Sequence, residues 1–231
     1  MAQLSSRERL LRCLRHEPTD RVPISTYELV GWNKGAWENK EPSYARLMQA
    51  IRERTDCIYM LEPEWKSLPV PGMEITTRRE GKSLFSRTTY RTPKGDLTCL
   101  HREDDDLHTR WTLEHILKNM EDIDRYLTIP YEPPELDMSH FLAERKALAN
   151  NGLMMISVDD PICVVAELFE MGEFLVYAVS NEKQITYLLD VIHERQMDRL
   201  RRILQYNVSD VFFPICGPEY ATPPYLSPEH F

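Results

Sequence analysis

The chain has 231 residues, 42% of them hydrophobic and 28% charged, which is enough apolar material for a packed core and carries no signature of disorder. Its 37 acidic against 28 basic side chains leave a net charge of −9, and no Lys/Arg stripe extends beyond single helical turns, which argues against a nucleic-acid partner. Five scattered cysteines (Cys13, Cys57, Cys99, Cys163, Cys216) without C-x-x-C spacing argue against a disulfide framework or zinc finger and for a reducing, cytoplasmic compartment, and no apolar run approaches the roughly 18 residues of a membrane span.

Ser5-Ser6-Arg7-Glu8 has the grammar of a capping box, and Leu10, Leu11 and Leu14 follow at helical spacing, so a first amphipathic helix is predicted over 6–16. Pro18 to Pro23, opening with a Pro-x-Asp-Arg turn at 18–21, ends it, and VPIST at 22–26 reads as a short strand followed by a loop rich in Trp, Gly and Asn. Ser43 then caps a helix carrying Leu47, Met48 and Ile51, and CIYML at 57–61 is an apolar run of strand length. Residues 73–103 alternate β-formers with polar residues and break at Glu80-Gly81 and at Pro93-Lys94-Gly95-Asp96. They read as a β-hairpin or three-stranded meander inserted into a strand-helix alternation.

A linker rich in Pro and acid (129–137) leads to a helix over 139–150 that Gly152 ends. LMMISV at 153–158 is a strand whose exit acids precede Pro161, so Asp160 is placed to cap the next helix. Over 182–205, Ile185, Leu188, Leu189, Ile192, Leu200, Ile203 and Leu204 share one face of a long helix, and VFFPI at 211–215 is a last buried strand. Near-continuous apolar strands, each followed by a helix, point to parallel βα units.

Several of these stretches are similar to the uroporphyrinogen decarboxylase superfamily. SSRERLLRCLRHEPTDRVPI resembles the family's opening, RTDCIYMLEPE its second strand, ISVDDPICVVAELFEMG its third strand and helix, and NVSDVFFPICGPEYATPPYLSPEHF its fourth strand and the start of the next helix. The resemblance runs along essentially all 231 residues and implies an α/β fold, an incomplete (β/α)8 TIM barrel in which the first four βα units are present, with an antiparallel β insertion. Residues 1–231 are then expected to form a single truncated barrel domain, the front part of a longer protein, because such barrels need about 250 residues.

In a parallel barrel the strand exits face the cleft. The exit acids here are Glu28, Glu62, Glu64, Asp159, Asp160 and Glu219; each has a bland reading as a cap or solvated loop acid, and that reading is strongest for Asp160. Converging carboxylates, by contrast, shift one another's pKa and serve as general acids or cation binders. Glu62 and Asp160 are the expected catalytic pair. Substrate-binding candidates are Tyr27, Glu28, Trp32, Glu64, Asp159, Glu167, Cys216 and Glu219; Tyr27, Trp32 and Trp37 form an expected aromatic wall. Cys216 has an alternative reading as a small apolar residue finishing a strand. The seven histidines show no metal-ligand spacing, and His101, His108 and His115 read as surface residues.

The resemblance also carries expectations about chemistry. Family decarboxylases hold an eight-carboxylate tetrapyrrole with two arginines after the first strand; the corresponding positions here carry Glu28 and Trp32, and an acid has the wrong sign for that substrate. The family's third-helix tyrosine falls near Glu167, and its second-strand acid near Glu62. Cobalamin-linked methyltransferases of the same superfamily resemble the opening and the G-P-E and S-P turns better. They imply a corrinoid/thiol-linked methyltransferase acting on a small-molecule substrate or a corrinoid protein, a tendency to homodimerise, and zinc held by a His-x-Cys motif that this sequence lacks and the family places on a later strand. The alternatives are a tetrapyrrole decarboxylase, and a non-catalytic fragment that binds a small molecule or partner chain.

Overall fold

A computed structural model describes residues 3–66, 69–107, 109–217 and 222–229. In chain order the elements are α1 (Ser6–Leu14), α2 (Ala45–Arg54), β1 (Cys57–Met60), β2 (Glu64–Lys66), β3 (Met73–Glu80), β4 (Ser83–Tyr90), β5 (Leu97–Asp104) and β6 (Arg110–Glu114). Then follow α3 (Glu121–Tyr126), β7 (Glu135–Asp137), α4 (Ser139–Leu148), β8 (Gly152–Met155), β9 (Val158–Asp159), α5 (Pro161–Leu168), α6 (Met171–Ser180), α7 (Glu182–Ile203) and β10 (Ile215–Cys216). The chain divides into two compact units, each assembled from three separated segments.

The first unit comprises Met1–Lys66, Glu135–Val158 and Arg202–Ile215. Its α1 opens with the predicted capping box: Ser5 accepts from the Glu8 N–H, and the Glu8 carboxylate accepts from the Ser5 N–H. β1 and β8 pair in parallel, Cys57 against Gly152 through Met60 against Met155. Phe212 forms a parallel bridge on the far side of Met155. Tyr59, Phe141, Met154 and Ile156 fill the core between these strands and α4, joined by Val208 and Val211. β2 and β7 form a separate antiparallel pair, Glu64 opposite Asp137.

The second unit comprises Ser67–Pro134, Asp159–Arg201 and Cys216–Phe231. Its core joins Leu117 and Ile123 to Val165 and Phe169 around α5, Phe174 of α6, and Ile185, Leu188 and Ile192 of α7. The N-terminal part of the apolar stripe read on the long helix thus finds its partners, whereas Leu204, at the other end of that stripe, is exposed. Its largest sheet is four-stranded and antiparallel, in the order β3-β4-β5-β6. Gly81 and Gly95 turn at positive φ (58° and 117°), where a glycine avoids the Cβ clash.

This pairing corrects the expected fold. The strands do not form a (β/α)8 barrel arrangement, complete or partial: they are distributed over small two-stranded sheets and one four-stranded antiparallel sheet. The physical reason is clearest at 22–26. A barrel strand is covered on both faces, whereas Val22 and Ile24 are 76% and 58% exposed, and Pro23 removes a ladder donor. That segment meets β1 through single bonds, Asp56 N–H to the Ile24 carbonyl (2.6 Å) and Ile58 N–H to Ser25 Oγ (3.2 Å). The antiparallel region is also longer than the predicted 73–103, because Arg110–Glu114 adds a fourth strand, RWTLE, whose alternation of polar and apolar residues runs for only five residues.

Candidate functional site at the exits of the parallel strands

Within the first unit, three chain segments leave the parallel ladder at one end. Leu61 N–H donates to the Met155 carbonyl (3.1 Å), and Ile156 N–H donates to the Phe212 carbonyl (3.2 Å). Glu62 follows directly: its carboxylate accepts the Ser157 N–H at 2.8 Å, tying the exit of β1 to that of β8. Glu62 and Glu64 are both exposed, as are Tyr27 and Glu28, which follow the Ile24–Ser25 stretch held against Asp56. Trp32, Trp65 and Phe213 are half-buried and each pack against the first unit's core. Lys66, the adjacent cation, is engaged by Asp137 at 2.8 Å.

The expected aromatic wall is not assembled as one surface. Trp37 meets Tyr44 edge-on at 5.1 Å, Trp32 packs on the core, and Tyr27 is 72% exposed.

The remaining candidates belong to the second unit. Asp160 is the N-cap of α5 and accepts the Ile162 N–H at 3.0 Å, fulfilling the cap reading. Asp159 is exposed. Glu167 is exposed on α5, and its carbonyl lies 2.8 Å from His115 Nδ1. Cys216 ends β10, with its side chain outside what is described; Glu219 and His108 lie outside the described residues altogether. His101 departs from the surface reading: it is half-buried on β5, its Nδ1 has no partner, and burial, with Arg110 and His115 nearby, pushes its pKa down.

Sequence reasoning missed a buried ion cluster that positions the Ile24–Ser25 stretch. The Arg9 guanidinium, 3% exposed, grips Asp20 with two nitrogens (2.6 and 2.9 Å) and also bonds Asp56, which is fully buried. Arg21 adds a second contact to Asp56, whose other oxygen accepts the Ile24 N–H at 3.1 Å. The one legible signal was the Pro-x-Asp-Arg turn that supplies Asp20 and Arg21. In the second unit, a hollow of about 470 Å³ is lined by Tyr131, Asp190, Val191, Glu194 and Arg195, with the Arg195 guanidinium 4.6 Å from the Tyr131 ring centre.

Among the described residues, no three His, Cys, Asp or Glu side chains converge as a metal set. Cys13, Cys57, Cys99 and Cys163 are not joined by disulfides, and burial pushes the Cys57 thiol up to about 12, which makes it inert. Among the described residues, no helix is long and apolar enough to cross a membrane. Compared with known proteins, the chain matches no family model, no curated protein and no solved structure.

Proposed function

We propose that this protein is a relative of the uroporphyrinogen decarboxylase superfamily that binds a small organic substrate for corrinoid- and thiol-linked methyl transfer in a reducing, cytoplasmic compartment. The reading rests on the order of four sequence segments and on local charge, not on strand pairing, which departs from the family's barrel. One observation carries it: Glu28, Glu62 and Glu64 are exposed carboxylates of the first unit, Glu62 directly after β1, and Glu28 and Trp32 stand where the resemblance places a decarboxylase's arginines. Exposed carboxylates repel a polyanion, so these residues disfavour an eight-carboxylate substrate and favour a neutral or cationic ligand. No step is assigned to zinc. The protein's own residues bind and orient: Glu62, by accepting the Ser157 N–H, holds the two exits in register.

The test is proton NMR of methyl transfer from methylcobalamin to a small thiol, with wild type, Glu28→Gln and Glu62→Gln. The glutamine carbonyl at 62 still accepts the Ser157 N–H, so folding is preserved while the charge is lost. A fall of tenfold or more in transfer at an unchanged melting temperature supports the reading; no transfer by wild type, or no effect of either change, rejects it.

A second reading, a binding protein without chemistry, is favoured by the two expected catalytic acids each accepting a backbone amide. Saturable methylcobalamin binding without transfer would select it.

A further inference from the structure

The antiparallel sheet of the second unit ends on an uncovered strand. From Glu74 to Glu80 every residue of β3 is exposed, including Ile75 at 59%. The hydrogen-bonding parity of this edge can be read directly. Gly72, opposite Arg91 in the same register, accepts the Arg91 N–H at 2.9 Å, and Glu80 pairs with Ser83 across the tight Gly81-Lys82 turn. Even-numbered residues therefore turn their N–H and C=O groups toward β4. Ile75, Thr77 and Arg79 turn theirs outward, away from the sheet, and an eight-residue edge of that kind is a template for another strand.

The side chains specify which strand fits. If a second copy of β3 runs antiparallel to the first about a twofold axis at Thr76, then Ile75 and Thr77 exchange backbone bonds with Thr77 and Ile75 of the second copy. In the same register Glu74 lies directly opposite Arg78 of the second copy, twice by symmetry. Moving the axis to Thr77 sets Glu74 against Glu80, and moving it to Arg78 sets arginine against arginine, so like charges disfavour both. Within one chain Glu74 pairs with the exposed Arg91 and Arg78 with the exposed Glu80, each at 3.2 Å and cheaply exchanged, while Arg78 also lies over the Phe85 ring at 5.4 Å.

The geometry points to self-association of this chain through β3, extending the four-stranded sheet across a twofold axis centred on Thr76. Strand addition alone buries less than the roughly 1,200 Å² of a stable interface, so dissociation on the order of micromolar is expected.

Sedimentation equilibrium of the purified protein from about 1 to 200 μM tests this, with three kinds of variant. Thr77→Pro removes an outward N–H while leaving the β4 ladder bonded, and it should weaken dimerisation at least tenfold. Glu74→Arg and Arg78→Glu should each weaken it by setting like charges in opposition, and the double change should restore it. That restoration is a result general destabilisation would not produce, and it remains decisive if the proline variant misfolds. A wild type that is monomeric throughout, or a dimer indifferent to these changes, overturns the inference; the latter would place the interface on another surface.

Discussion

Asp56 is fully buried yet ionised, and the reason lies in its neighbours. Burial alone would raise its pKa, but the Ile24 N–H, Arg9 and Arg21 outweigh that and hold it below the ordinary carboxylate range. Asp20, gripped first by Arg9 and then by the Leu4 N–H, is held well below that range as well. Both folded-state values are depressed, so the stability they confer is full above the ordinary aspartate range near pH 4 and is lost as pH falls through and below it. Asp56→Asn keeps the shape but leaves the Arg9 guanidinium buried without full compensation. We expect a loss of about 3 kcal/mol or more at pH 7 and a shallower decline between pH 4 and 3, both measured by urea denaturation. An unchanged urea midpoint would show that the cluster contributes little. The turn carrying Asp20 and Arg21 was legible in the sequence; its convergence with Arg9 and Asp56 was not, because partners 11 and 35 to 47 residues apart are brought together only by folding.

Elements announced by their ends were legible, and those defined by their neighbours were not. The Ser5/Glu8 box, Asp160 before Pro161, and the stripe over 182–205 each describe a helix whose start or face is encoded locally. The 22–26 stretch has strand composition but two exposed apolar residues, and whether such a run is laddered depends on what covers it. β8 shows the same dependence from the other side. Gly152 was read as a helix terminator, whereas its close approach to β1 decides its identity: a Cβ there would lie 2.0 Å from the Cys57 carbonyl oxygen. Gly152→Ala must push the two strands apart at the first pair of their register. The expected cost is about 3 kcal/mol, at the upper end of overpacking penalties, and is seen as a drop in thermal midpoint with a weakened near-ultraviolet signal from Tyr59. A midpoint within a degree of wild type would mean the strands yield freely.

At the scale of the molecule, the candidate site was only partly legible. Of the acids expected at the exits of CIYML and LMMISV, Glu62 binds the neighbouring exit through the Ser157 N–H, and Asp160 caps a helix. What linear sequence did not reveal is that the chain builds two units from interleaved segments, assigning Tyr27, Glu28, Trp32, Glu62 and Glu64 to one and Asp159, Asp160, Glu167 and Cys216 to the other. The expected pairing of Glu62 with Asp160 rested on a barrel whose strand order the structure does not show. The functional account therefore stands on the first unit's acidic exits and the missing arginines. The most direct measurement is turnover of uroporphyrinogen by the purified protein, followed by release of carbon dioxide and by chromatography of the porphyrins. The account predicts no decarboxylation above the uncatalysed rate, and none gained by Glu62→Gln. Decarboxylation at a useful rate, abolished by Glu62→Gln, would contradict it and show that a polyanion is accommodated despite the acids at this end.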